Sequence, residues 1–274
     1  MLRQKLIRMP RMASPPPFHY PNPQFATQPA TPSWFDRHRA LAISGIIAGC
    51  LLVVMPIAAQ HRSDTAPAEK ISTESFTSHG RRVTYEAFTT GTPTATLILL
   101  HGASGPGATG YRRQAEFFAA HGYRTLLLHY YDASGSKARD GKNYAIWADA
   151  VCDLVAAVRQ VSPNEKIYLV GYSLGASVAL GAGSRKLPVA AIAEWYGSLP
   201  DDFFRSLKGM PPLLILHGER DANIPVINAR QLIRLCSLAH FTCESHIYGD
   251  QMHGFDEKAT ADADERTLAF LAQH

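Results

Sequence analysis

The sequence predicts a doubly wound α/β domain with a mostly parallel sheet and no lid domain. Two observations carry that prediction. From residue 95 onward, short apolar runs alternate with longer helix-like stretches, the order expected when each strand crosses over through a helix to the next. The runs are also continuously apolar rather than alternating, as strands covered on both faces require.

The chain has 274 residues, 46% of them hydrophobic and 18% charged, which is the balance of a globular protein with a sizeable core. Its net charge of +4 is unevenly placed. Seven of the 27 Lys and Arg precede residue 63, against one of the 23 acidic residues, so the remainder carries 20 basic and 22 acidic groups. The folded part is therefore slightly acidic, and nothing in it provides the basic face that a nucleic-acid partner needs.

Residues 1–39 hold eight prolines, several basic residues and no apolar periodicity, and are expected to be disordered. Met9 and Met12 offer alternative starts. From Ala40 to Ala59 the only polar side chain is Ser44, between Arg37 and Arg39 on one side and Arg62 on the other. Residues 40–60 accordingly read as a transmembrane signal anchor or a signal peptide cut near Ala59, with a lipobox-like Ile47-Ala48-Gly49-Cys50 and a buried core helix as further readings. The basic flank would stay inside, which places the rest of the chain on the periplasmic or extracytoplasmic side, anchored or exported. Residues 61–75 are polar and read as a linker, leaving 76–274 as one domain.

Within that domain, residues 82–88 alternate and read as an edge strand. Further strands are expected over 95–100, 123–129, 166–170, 189–195, 212–216 and 242–248. Helices are expected over 111–120, 143–160, 224–238 and 259–272, with one more opening after residue 173.

The organising motif is Gly171-Tyr172-Ser173-Leu174-Gly175. It lies between an apolar strand and a small-residue helix, the setting of a nucleophile elbow, in which a strained turn projects the serine above the strand ends. A tight turn that happens to carry a serine is the plainer account. A serine hydroxyl needs a base in hydrogen-bond reach and a carboxylate to orient that base. In α/β-hydrolases they follow in the order serine, acid, histidine. Asp221, after the run Leu213 to Leu216, is the candidate acid; Asp201 and Asp202 fit a helix start better. His253, alone in the loop after the last strand, is the candidate base. His101 and His217 also end strands, but each precedes a glycine, and His217 is close to Asp221 in sequence. Asp250 reads as a turn residue. Backbone amides of Leu174, after the nucleophile, and of Ala103, in the loop after the first buried strand, are the candidate oxyanion donors. The loop from Gly102 lacks both G-x-G-x-x-G spacing and a P-loop lysine, so it is not a phosphate cradle.

On His101-Gly102-Ala103, the serine elbow, Trp195-Tyr196-Gly197, His217-Gly218-Glu219-Arg220-Asp221 with Ile224-Pro225, and His253-Gly254-Phe255, the chain resembles the dienelactone hydrolase family over about residues 80–272. The resemblance implies a triad of Ser173, Asp221 and His253 on the small α/β-hydrolase fold. It also implies hydrolysis of an ester or related acyl bond in a small or extended substrate. Members proper carry cysteine where this chain has Ser173 and glutamate where it has Gly102, so their lactone substrate does not carry over. A serine peptidase, an acyltransferase or an inactive membrane-anchored binding protein are the alternatives. Tyr131, Tyr172, Trp195 and Tyr196 are candidate substrate-lining residues, each also explicable as core packing.

No C-x-x-C or H-E-x-x-H spacing occurs, so neither a metal nor a cofactor is expected. Cys152 reads as a small core residue. Cys236 and Cys243 flank a helix-to-strand turn and would form a disulfide in an oxidising compartment, or stay as two independent thiols in a reducing one.

Overall fold

The computed structural model describes residues 69–200 and 207–274. The first strand, β1 (Glu69–Ser78), turns through His79 and Gly80 into β2 (Arg81–Thr90). Both turn residues have positive φ, 49° and 70°, the backbone twist that suits a two-residue hairpin. β3 (Ala95–Leu100) is followed by α1 (Thr109–Ala120), and β4 (Tyr123–Leu128) by the short α2 (Tyr131–Ser134) and the long α3 (Gly141–Val161). β5 (Ile167–Tyr172) leads into α4 (Leu174–Gly183), and then come β6 (Ala191–Trp195) and β7 (Leu213–Gly218). α5 (Ile227–Ala239), β8 (Cys243–Tyr248) and α6 (Glu257–Gln273) complete the domain.

The strands form one sheet in the order β1-β2-β4-β3-β5-β6-β7-β8, parallel from β4 to β8 and antiparallel at β1 and β2. Every residue of β3, β5, β6 and β7 is buried, because helices cover both faces. Ile98, Leu100, Leu169, Ile192 and Ile215 point to one layer with Trp147, Val151, Val178 and Leu232. Leu97, Leu99, Val170, Ala193 and Leu216 point to the other, with Phe118, Ala263 and Phe270. Cys236 in α5 and Cys243 at the start of β8 are joined as a disulfide, their Cα atoms 6.0 Å apart. Cys152 is a free, half-buried thiol in α3.

Two expectations need correction. The segment expected to remain a linker to residue 75 is already strand from Glu69, and the strand expected at the edge is β2, the second of the sheet. β1 carries polar side chains on both faces and is solvent-exposed almost throughout, so it shows no apolar pattern; its place is set by hairpin pairing with β2 instead. The proline-rich segment 1–39, the apolar run 40–59 with Cys50, residues 60–68, Asp201 and Asp202 lie outside the described residues. Among the described residues no helix is long and apolar enough to cross a membrane.

Candidate active site

β5 ends in Tyr172, and the chain reverses at Ser173 into α4. Ser173 has φ 55° and ψ −116°, a conformation that costs a non-glycine residue energy and persists only where the surroundings enforce it. The sequence permits the turn because two flanking positions lack a side chain. A Cβ on Gly175 would collide with the carbonyl oxygens of Leu100 and His101, and one on Gly171 with the backbone of Gly175 and Ala176. The Ser173 N–H donates across to the Trp195 carbonyl at 2.9 Å, tying the elbow to the end of β6.

Ser173 Oγ lies 2.9 Å from His253 Nε2, and His253 Nδ1 lies 2.8 Å from Asp221 Oδ2. The other oxygen of Asp221, Oδ1, accepts the backbone N–H groups of Asn223 and Ile224, each at 2.9 Å, so the carboxylate is fixed by its own loop. The Asp221 side chain is fully buried, whereas that of His253 is one-fifth exposed. With Nδ1 protonated toward Asp221, Nε2 is left to accept the serine hydroxyl. Gly218 is what lets the histidine loop approach: a Cβ there would strike the backbone of Gln251 and Met252, and Arg220 N–H binds the Gln251 carbonyl at 2.9 Å. The Gln251 side chain locks the loop to Asp256, which caps α6 through the Ala259 N–H.

The loop after β3 lies over the nucleophile. A Cβ on Gly102 would sit 3.4 Å from Ser173 Cβ and would collide with the Tyr111 hydroxyl. Among the described residues the amides of Ala103 and Leu174 donate to no backbone carbonyl, and Leu174 opens α4, where the helix dipole favours negative charge.

Of the four candidate lining residues, Tyr172, Trp195 and Tyr196 share a cleft of about 300 Å³. Tyr131 is not on that cleft. It packs against Trp147 and donates its hydroxyl to the Ala103 carbonyl at 3.2 Å, so it braces the loop instead.

Further residues of the site had little sequence signal. Tyr111 and Gln114, brought there by the packing of α1, line the cleft with Phe255 of the histidine loop. His217 Nε2 donates to the Ile224 carbonyl at 2.8 Å and also comes within 3.4 Å of Asp221 Oδ2, so the two are neighbours after all; their four-residue spacing was the available clue. Burial lowers the pKa of His217, and pushes that of His101 down to about 4, so the imidazole of His101 stays neutral against Tyr130. Glu194 sits in the middle of apolar β6 with no exposure, and its Oε2 accepts the Gly197 N–H at 2.8 Å. Burial pushes its carboxyl up to about 8. No group of His, Cys, Asp and Glu among the described residues is arranged to hold a metal ion.

An eight-stranded sheet of this order with a strained serine where β5 enters α4 defines an α/β-hydrolase. The chain belongs to the dienelactone hydrolase family, whose model matches residues 85–274, and it is accordingly an ester-directed hydrolase. Solved structures share the fold at low identity. A putative dienelactone hydrolase from Klebsiella pneumoniae subsp. pneumoniae MGH 78578 is 18% identical with a TM-score of 0.66, the match covering 76% of this chain and all of that one. A dienelactone hydrolase-like promiscuous phosphotriesterase from metagenomic libraries is 15% identical with a TM-score of 0.65, covering 75% of this chain and 98% of that one. An esterase of Pyrococcus furiosus is 17% identical with a TM-score of 0.62, covering 74% of this chain and 90% of that one. No curated protein matches the chain in sequence.

Proposed function

We propose that the protein hydrolyses carboxylic esters through a serine acyl-enzyme. The observation that carries this reading is the unbroken hydrogen-bond chain from Ser173 Oγ through His253 to Asp221, at 2.9 and 2.8 Å. In the first half-reaction Ser173 Oγ attacks the ester carbonyl carbon while its proton passes to His253 Nε2. The tetrahedral oxyanion is received by the amides of Leu174 and Ala103. Collapse breaks the bond to the alkoxy oxygen, which leaves with the proton from His253 as the free alcohol. In the second half, water gives its proton to His253 and its oxygen to the acyl carbon, releasing the acid and restoring the serine. Asp221 orients the His253 ring and stabilises the imidazolium.

Labelling of the full chain with a fluorophosphonate probe, beside Ser173→Ala, tests this reading. Labelling of the unsubstituted chain alone is expected. Equal labelling of both, or none of a folded protein, overturns it.

An exported or membrane-anchored domain remains the proposal for location. It is supported by the Cys236–Cys243 disulfide, which persists in oxidising surroundings, and by the apolar run 40–59. Thiol alkylation of freshly isolated cells with and without prior reduction, read by mass spectrometry on the peptides carrying Cys236 and Cys243, tests it: alkylation of those two cysteines without reduction would argue for a reducing compartment.

A further inference from the structure

The cleft of about 300 Å³ near the nucleophile has five rings in its wall, Tyr111, Tyr172, Trp195, Tyr196 and Phe255, while Arg113, Gln114, Glu257 and Thr260 make the rest of it polar. Among these rings Tyr172 and Trp195 have centroids 5.0 Å apart, and Trp195 is stacked on Phe255 at 5.7 Å. An apolar cavity of about 150 Å³ suffices for a benzene ring, so this space admits one ring with a short arm. Ring-walled space favours a flat guest, which gains edge-to-face and offset contacts that an alkyl chain of equal area does not.

The hydroxyls add a polar demand. Tyr172 spends its proton on Gln114 Oε1 at 3.1 Å. Those of Tyr111 and Tyr196 make no hydrogen bond to protein among the described residues, and neither is sealed from solvent. Burial raises the Tyr196 phenol, which keeps it a donor. The cleft also begins where the chemistry is. The Tyr111 hydroxyl abuts Gly102 beside Ser173, and the Tyr196 ring lies edge-on to His253 at 5.0 Å.

We infer that this cleft is a specificity subsite for a planar aryl group carrying an acceptor oxygen, joined to the scissile ester by a short arm. The inference rests on the esterase reading, and the ring could be borne on either side of the ester. Two pairs of substrates separate those sources. Ethyl 3-(4-methoxyphenyl)propionate against ethyl octanoate varies the acyl side; 4-methoxybenzyl acetate against hexyl acetate varies the alcohol side. At least about a tenfold advantage in kcat/KM is expected for the aryl member of one pair, the order of effect from burying most of a ring.

Gly110→Trp supplies the control. Gly110 lines the cleft, has an ordinary backbone conformation, and a Cβ there meets nothing within 4 Å, so a side chain has room at its base. It should erase the aryl advantage, with ethyl acetate turnover measured beside it so that loss of the preference is read separately from any change at the triad. Binding is read separately on Ser173→Ala with 3-(4-methoxyphenyl)propionate and 4-methoxybenzyl alcohol by saturation-transfer NMR. If esters are not cleaved but a probe binds Ser173→Ala and not the Gly110→Trp form of it, the subsite stands and the esterase reading falls. If esters are cleaved with no ring preference in either pair, or the preference survives Gly110→Trp, the subsite is refuted. Absence of both cleavage and probe binding refutes both.

Discussion

Replacing Glu194 by glutamine should make the protein more stable, and increasingly so as pH rises. Glu194 is wholly buried, gives one oxygen to the Gly197 N–H, and has no partner for Oε1 among the described residues. Its carboxyl is raised from the ordinary 4.5 to about 8, because burial penalises the anion more than the Gly197 amide relieves it. A carboxyl with a raised native pKa keeps its proton when the unfolded chain has lost it. Its folding contribution is therefore intact below about 4.5 and eroded as pH climbs to about 8. Each pKa unit is worth about 1.4 kcal/mol, so neutral pH carries a penalty of about 3 kcal/mol that an uncharged amide of the same shape does not incur. Glutamine retains the acceptor for Gly197 but buries a second amide hydrogen, a cost that does not depend on pH. The slope is thus the diagnostic quantity. Urea unfolding of both proteins at pH 5, 6 and 7.5 should show the gap moving in favour of glutamine by up to about 1.4 kcal/mol per pH unit. A gap constant across that range would mean that Glu194 is ionised in the native protein at pH 5, and the desolvation argument would fail.

Gly175→Ala should abolish fluorophosphonate labelling and cost several kcal/mol, about 3 or more, since its methyl would meet two fixed carbonyl oxygens; unchanged labelling and an unshifted urea midpoint would show that the elbow has room to move. Cys236→Ala together with Cys243→Ala removes a cross-link closing a short loop of seven-residue separation, worth about 2 kcal/mol on a chain-entropy basis. Calorimetry should find Tm lower by roughly 4–8 °C with labelling retained, and an unchanged Tm would show that the bond contributes nothing.

The alternation of buried strands and helices could be read from residue 95 onward because a parallel sheet wrapped on both faces leaves continuous apolar runs in the chain. Equally legible was the elbow, since a strained serine requires bare neighbours and Gly171 and Gly175 are visible as such. β1 was not legible: a strand held only by hairpin pairing, polar on both faces, has the composition of a tether. The cleft was half legible. Trp195 and Tyr196 end and follow a strand, and Phe255 sits beside the catalytic histidine, whereas Tyr111 and Gln114 reach it through helix packing that no local pattern records. Tyr131 misled because it adjoins the oxyanion loop, yet its ring turns toward Trp147. Glu194 went unread although it interrupts a five-residue apolar strand, because its effect depends on what burial leaves unpaired.

The bond from the Ser173 N–H to the Trp195 carbonyl joins two strained positions, because Tyr196, the next residue, also has a positive φ of 45°. Nucleophile and cleft wall are thereby parts of one backbone frame. Substrate preference cannot be retuned at Tyr196 without disturbing the reactive serine, so tolerated variation in this lineage, or in the laboratory, should concentrate on the rim at Gly110, Arg113, Glu257 and Thr260, where side chains change the opening and leave the frame alone.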